Sequence, residues 1–181
     1  MENSQSDSSV PVLGFAAFSG TGKTTLLKAI IALLHTNGFK VGLIKQSHHD
    51  FEVDIPGKDS YELRKAGASQ TLITSPYRKV LIHENEDALE ADLSSSITSL
   101  DASCLDIILV EGFKHAPFPK IELQRSDLSK PLLYPEDNNI IAIATDSNNE
   151  KHSITKLDLN KPEAIYQFIH DYFLTSKTET I

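Results

Sequence analysis

Short apolar runs alternate with amphipathic stretches along this chain. Residues 10–18 form an apolar run of the length expected for a buried strand. Over residues 27–34, leucine and isoleucine recur at helical spacing, and Gly38 marks the end of the predicted helix. A second apolar run follows at 41–44. These segments predict a strand–helix–strand unit with parallel strands and a right-handed crossover.

The same alternation continues to residue 174. Residues 47–58 are polar and contain Pro56-Gly57, which predicts a loop. The further predicted strands are 71–74, 79–83, 106–112, 120–124 and 140–144. The further predicted helices are 59–67, 86–100 and 162–174. This order predicts a single α/β domain over residues 10–174, with a mainly parallel sheet flanked by helices, a disordered N-terminal tail at 1–9 and a polar C-terminal tail at 175–181.

Composition excludes several classes of protein. Asp and Glu number 25 against 17 Lys and Arg, for a net charge of −8, which argues against a broad nucleic-acid-binding face. The single cysteine, Cys104, excludes a disulfide within one chain. Apolar runs fall far short of the ~20 residues that cross a bilayer, and no signal-peptide pattern follows the first nine residues. We therefore expect a cytoplasmic protein without a membrane partner.

The strongest chemical signal is the segment AFSGTGKT at 17–24. It matches the phosphate-binding pattern G-x-x-x-x-G-K-[ST], with Ala17 in place of the first glycine. Two glycines let the backbone N–H groups face one anion, Lys23 reaches the β- and γ-phosphates, and the Thr24 hydroxyl is suited to Mg²⁺. The predicted nucleotide-binding residues here are Ser19, Gly20, Thr21, Gly22, Lys23, Thr24 and Thr25.

Two acids are candidates for catalysis and for magnesium. Glu111 ends an apolar strand, where an acid holds magnesium through water or orients a hydrolytic water; the alternative is a solvent-facing acid at a strand end. Gly112 follows it and is positioned to offer an N–H to the γ-phosphate. Asp50 lies in the loop after the second strand, and such loops converge on a bound ligand. We predict that Glu111 and Asp50 act in catalysis and, with Thr24, in metal binding.

Base selection has a weaker signal. The pattern Asn-Lys-x-Asp, which selects guanine in many GTP-binding proteins, is absent from this sequence. Asp146 follows a late strand, where a carboxylate is suited to accept the guanine N1 and N2 hydrogens; a turn acid is an equally good interpretation. His48 and His49 favour a place near the nucleotide or a partner, because two adjacent imidazoles do not complete a metal site.

Taken together, these motifs resemble the molybdopterin-guanine dinucleotide biosynthesis adaptor family, MobB. The resemblance rests on SGTGKTT at 19–25, LIK at 43–45, HHD at 48–50, PGKDSYELRKAG at 56–67 and VEGFK at 110–114. It implies a homodimeric P-loop protein that binds GTP and Mg²⁺ and hydrolyses GTP slowly. It also implies a partner, a MobA-type molybdopterin guanylyltransferase, with molybdopterin or the molybdenum cofactor as a further candidate ligand.

Other functions stay open at the level of sequence. A P-loop kinase acting on a small molecule would need an Arg-rich lid, whereas Arg64, Arg78 and Arg125 are scattered. A pure interaction module with a structural nucleotide is the third alternative. For a homodimer, the segments 78–83 and 120–124 are candidate edge strands, which a second copy could extend; both segments lying inside one monomer's sheet is equally compatible with the sequence.

Overall fold

The structure, a computed structural model, describes residues 10–47, 49–85, 87, 90–147 and 151–175. The predictions for the tail at 1–9, for His48 and for residues 176–181 lie outside this part of the chain. The chain forms two compact units, one made of Met1–Gln46 with Leu93–Ile181 and the other of Ser47–Asp92.

Eight strands are described, and six of them form the sheet of the first unit. The strands are β1 (Val12–Ala17), β2 (Val41–Lys45), β3 (Gln70–Thr74), β4 (Lys79–His83), β5 (Ile107–Glu111), β6 (Lys120–Gln124), β7 (Ile140–Thr145) and β8 (Thr155–Asp158). The six-stranded sheet has the order β2-β5-β1-β6-β7-β8, and all five of its pairings are parallel. The predicted α/β fold with a mainly parallel sheet is confirmed, and β8 is a strand that the sequence analysis missed.

Helices cover both faces of this sheet. The first unit contains α1 (Lys23–Thr36), α3 (Leu93–Thr98) and α4 (Pro162–Ile169), and the second contains α2 (Asp59–Lys65). Side chains of α1 and α4 share one apolar cluster with alternate residues of β1, β5, β6 and β7. The other face packs Ile108 and Val110 against Phe113 and Phe118, with α3 at its margin. The central strands are buried on both sides, as the apolar runs predicted.

Two predicted helices have different limits in the structure. Residues 90–92 are not helical, so the helix predicted over 86–100 is wrong there and begins at Leu93. Its apolar positions Leu93, Ile97 and Leu100 pack against the core, and residues 86, 88 and 89 of the predicted helix lie outside the described part of the chain. The last helix continues from Ile169 into a π-helical turn, His170–Leu174. No helix in the described part of the chain has the length and apolar character needed to span a membrane.

The prediction that 120–124 is an edge strand is wrong. β6 lies between β1 and β7, and all five of its residues are buried. Its polar side chains have partners in the segments before and after the strand. Lys120 donates to the Asp137 carboxylate (2.9 Å) and the Ala116 carbonyl (2.7 Å), and Glu122 accepts from the backbone N–H groups of two residues at 133 and 134 (2.8 Å each). These contacts let a polar, alternating segment occupy the middle of the sheet.

The second unit consists of α2, the loop before it and a two-stranded hairpin. β3 and β4 pair antiparallel, with Leu72 opposite Leu81. Both leucines are more than half exposed. Arg64 of α2 is buried and forms ion pairs with Glu52 and Glu84, which join the loop to the end of β4. This charged centre fixes the hairpin on the helix in place of an apolar core.

Candidate functional site: a phosphate loop at the carboxyl edge of the sheet

The segment after β1 forms a tight loop that leads directly into α1. Gly20 and Gly22 have φ values of 87° and 88°, a region that side chains disfavour. Thr21 between them is buried, and its hydroxyl donates to the Phe18 carbonyl at 3.0 Å. Ala17 ends β1 and is not among the residues with positive φ, which explains why alanine is tolerated where the pattern has glycine.

This loop lines an open cavity of about 520 Å³. Helix α1 begins at Lys23 and has no acidic residue in its first turn, so its positive end is not neutralised locally. Thr24 and Thr25 are exposed on that turn. The structure thus gathers all the nucleotide-binding residues predicted from the loop motif, together with one acid; the lining is Phe18, Ser19, Gly20, Thr21, Gly22, Lys23, Thr24, Thr25 and Glu111. Backbone N–H groups at a helix start are a favourable site for phosphate.

Glu111 stands between two lysines. Its Oε1 lies 3.6 Å from Lys23 Nζ, and its Oε2 lies 3.2 Å from Lys45 Nζ. Lys45 is the last residue of β2 and is paired in register with Glu111 in the parallel sheet. Glu111 thus lies beside the phosphate loop, and its predicted roles in catalysis and metal binding stay predictions. The sequence pattern did not predict a role for Lys45, because its partner across the sheet is 66 positions away along the chain.

The turn after Glu111 is fixed by Gln46. Gly112 has φ 111°, and a Cβ added there would lie 2.5 Å from Gln46 Cβ. The side-chain oxygen of Gln46 accepts from the Phe113 N–H at 2.7 Å, and the Gln46 backbone N–H donates to the Glu111 carbonyl at 2.8 Å. This arrangement requires glycine at 112 and holds the backbone that was predicted to donate to the γ-phosphate.

Asp146 lies immediately after β7, as predicted, and is engaged by protein groups. Its Oδ2 accepts from Arg125 Nη1 at 3.2 Å and its Oδ1 from the Ser126 N–H at 2.9 Å. The Ser126 backbone N–H, followed by the Ser126 side chain and Arg125, holds the pKa of Asp146 below its ordinary value against the opposing effect of burial. Arg125 also donates from Nε to the Thr21 carbonyl of the phosphate loop at 3.0 Å.

Arg125 is a site residue that the sequence analysis did not assign. It follows β6, and its two partners follow β1 and β7, which flank β6 in the sheet. The signal available in the sequence was its position directly after a strand, because loops after neighbouring parallel strands meet at one edge. Its contact with the loop spans 104 positions and is not encoded locally.

Asp50 belongs to the second unit. It is exposed and borders a cavity of about 390 Å³ within that unit, together with Arg64 and Glu84. Its predicted roles in catalysis and metal binding stay predictions. His49 is exposed in the same loop, where its N–H and carbonyl contact the Ser47 hydroxyl.

The donors at the phosphate loop suit magnesium held jointly with a nucleotide. Thr24 supplies a hydroxyl and Glu111 a carboxylate, both hard oxygen ligands. Among the described residues, no group of three or more His, Cys, Asp or Glu side chains is placed to hold a metal by itself. Mg²⁺ commonly takes one or two protein ligands and completes its shell with phosphates and water, so this donor set fits the ion.

Strand order, phosphate loop and adjacent acid define a P-loop NTPase-like fold. Solved structures agree: the chain matches Bacillus subtilis MobB with a TM-score of 0.69 at 25% identity, covering 91% of this chain and 99% of that one. It also matches a crystal structure of molybdopterin-guanine biosynthesis protein B with a TM-score of 0.68 at 22% identity, covering 88% of this chain and 98% of that one.

Sequence comparison defines the family. The model for "Molybdopterin guanine dinucleotide synthesis protein B", MobB, matches residues 12–146. The molybdopterin-guanine dinucleotide biosynthesis adapter protein of Escherichia coli strain K12 is 47% identical over 164 residues, which cover 90% of this chain and 93% of that protein. The adapter protein of Haemophilus influenzae is 38% identical, with coverage of 90% and 89%. This chain belongs to the MobB family.

Proposed function

We propose that this chain is an adapter for molybdopterin-guanine dinucleotide biosynthesis that binds GTP with Mg²⁺ at its phosphate loop. The observation that carries the proposal is the cavity formed by the loop, the start of α1 and Glu111, in a chain of the MobB family. In this proposal the loop N–H groups and Lys23 bind the phosphates, and Thr24 and Glu111 face the metal, while Asp50 is a further candidate ligand.

GTP hydrolysis at this site is proposed to be slow. Hydrolysis of bound nucleotide needs a positioned water and positive charge beside the γ-phosphate. Glu111 is the candidate for orienting the water, and the Gly112 N–H for the phosphate. The Arg125 guanidinium, which contacts the loop, is committed to the Thr21 carbonyl and Asp146. In P-loop enzymes that lack a catalytic Arg, the rate of nucleotide hydrolysis rises by about 10³–10⁵-fold when a partner protein supplies one.

Asp146 is the proposed contact for guanine. Its two oxygens already accept from Arg125 and Ser126. A carboxylate has about four lone-pair sites, so further hydrogen bonds from guanine N1 and N2 are compatible with these contacts. If Asp146 selects the base, its change to Asn weakens GTP binding more than ATP binding.

The proposed partners are a MobA-type guanylyltransferase and a second copy of this chain. For the dimer, the surviving edge candidate is β4. At the two ends of the hairpin, backbone hydrogen bonds join Ser75 to Arg78 and Glu84 to Ser69. Along an antiparallel ladder, successive N–H groups alternate between the partner strand and the outer edge. The Ile82 N–H therefore points toward β3, and the Leu81 N–H points outward. A proline at Ile82 would therefore damage the hairpin itself, and a proline at Leu81 is the better test of the outer edge.

Sedimentation tests the dimer. We expect a mass near twice 20.0 kDa at micromolar concentration, and a shift toward the monomer for Leu81→Pro, because an outward ladder donor is lost. Tyr77→Ser, at the exposed hairpin turn, is the control. A parent protein that sediments as a monomer contradicts the dimer, and a Leu81→Pro dimer of unchanged strength places the interface elsewhere.

The adapter role is tested in a reconstituted reaction. Formation of molybdopterin-guanine dinucleotide from GTP and molybdopterin by the guanylyltransferase is measured with this chain, with its Lys23→Ala variant, and without it. We expect stimulation by the parent chain that the variant loses. Equal product formation in all three reactions contradicts the proposal. Phosphoryl transfer from GTP to an acceptor by this chain alone would support the kinase alternative.

A further inference from the structure

We propose that Lys45 is a second phosphate-binding lysine, which contacts the terminal phosphate of the bound triphosphate. The inference rests on the proposed function of the phosphate loop and names a residue beyond its motif. Lys45 ends β2 at the carboxyl edge of the sheet, in register with Glu111. The loop lysine and Lys45 thus approach the same carboxylate from two sides.

The charge balance of this cluster favours an added anion. Two ammonium groups share one carboxylate, at 3.6 Å for Lys23 and 3.2 Å for Lys45. The Glu111 side chain is only 16% exposed, whereas that of Lys45, which donates to it, is 60% exposed. The two lysines therefore leave one positive charge unbalanced, with or without a metal. An exposed ammonium group in such a cluster is a suitable partner for a phosphate bound by the neighbouring loop.

The position of Lys45 selects the terminal phosphate. In the proposed nucleotide site the loop N–H groups and Lys23 would hold the phosphates, and Glu111 is the acid proposed to orient water at the γ-phosphate. Lys45 does not line the cavity itself but contacts Glu111, which does, so its ammonium group would approach the bound triphosphate at the γ-phosphate. A cation there contributes to GTP binding and makes little contact with GDP.

Titration with GTP and with GDP tests this assignment. The proteins compared are the parent, Lys45→Ala, Lys45→Arg and the control Lys40→Ala. Lys40 is exposed and lies just before the first residue of β2, whereas Lys45 is its last residue. Its replacement therefore removes one positive charge at the end of the strand away from the cavity. Each titration is run with magnesium and with EDTA, and thermal unfolding verifies that each variant is folded.

We expect Lys45→Ala to weaken GTP binding about 10-fold or more, as for loss of a hydrogen bond between charged groups. GDP affinity should stay within about 2-fold of the parent, and Lys45→Arg should recover most of the GTP affinity. The loss should persist in EDTA, because a direct contact does not need the metal.

Three results would overturn the assignment. Equal weakening of GTP and GDP, or no weakening, removes Lys45 from the terminal phosphate. A loss seen only with magnesium shows that Lys45 acts by positioning Glu111. A parent chain that binds neither nucleotide refutes the proposed function itself, and this inference with it; that outcome is distinct, because the first two require a parent that binds.

Discussion

Replacing Arg125 by alanine should loosen the phosphate loop from the neighbouring strands. The guanidinium joins three segments, since it donates to the Thr21 carbonyl and to Asp146 and follows β6 itself. A Cβ added at Gly22 would lie 3.6 Å from Nη2, so the group also packs against the loop backbone. The alanine variant loses both hydrogen bonds and leaves Asp146 with the Ser126 N–H.

The magnitude follows from the exposure of these groups. A hydrogen bond to a charged group is worth about 1.5–3 kcal/mol. The side chains of Arg125 and Asp146 are 33% and 20% exposed, so solvent screening reduces the ion pair to about 1 kcal/mol or less. Together the two contacts contribute about 2 kcal/mol, and in a chain of this size Tm should fall by about 4–8 °C.

The same contact predicts a pH dependence. The pKa of Asp146 is lowered in the folded state, so its contribution to stability is fully present above the unfolded value of about 3.9. That contribution is lost as the pH falls through the lower, folded pKa. Asp146→Asn should therefore remove part of the acid sensitivity of the parent and leave the sensitivity above pH 5 unchanged.

Thermal unfolding and GTP titration of Arg125→Ala, Asp146→Asn and the double variant measure these effects. We expect both single variants to lower Tm and GTP affinity, with the double variant close to Arg125→Ala, because Asp146 acts partly through Arg125. Arg78→Ala, at the hairpin turn of the second unit, is the control. A Tm and affinity equal to the parent in Arg125→Ala, or strictly additive losses, would refute this reasoning.

Three further substitutions test the site. Lys23→Ala should lower GTP affinity by at least 10-fold with Tm nearly unchanged, since Lys23 faces the cavity; unchanged affinity in a titration would contradict this. Glu111→Gln should reduce GTP turnover more than GTP affinity, and hydrolysis at the parent rate would make Glu111 only structural. Gly112→Ala should destabilise the fold by about 1–3 kcal/mol, because φ is 111° and the new Cβ meets Gln46. The control is Gly38→Ala, since Gly38 also has a positive φ but no neighbour within 4 Å. An equal loss of Tm in both variants would argue against the clash.

The local features of this fold could be predicted from the sequence. Strand β1, the phosphate loop, α1 and β2 are contiguous, and each is specified by run length, glycine position or helical spacing. Glu111 was found for the same reason, as an acid directly after four apolar residues. Parallel strands end at one edge, so these segments were also expected to meet.

The remaining features depend on contacts between distant residues. Residues 120–124 were a candidate edge strand, with a place inside the sheet as the equal alternative. The pairing of Lys120 with Asp137 and of Glu122 with the backbone at 133–134 explains how the polar residues of β6 are buried there. Register sets Lys45 beside Glu111, and strand order sets Arg125 beside the loop. Register and strand order are properties of the whole sheet and not of one segment, so the sequence pattern alone could not assign Lys45 and Arg125 to the site.

Binding of GTP with magnesium at the phosphate loop can be measured by calorimetric titration. GTP and ATP are titrated into the parent chain and into Lys23→Ala, each with magnesium. We expect saturable binding of GTP to the parent, weaker binding of ATP, and loss of both in the variant. GTP that fails to bind the parent, or binds the variant equally well, would contradict this expectation.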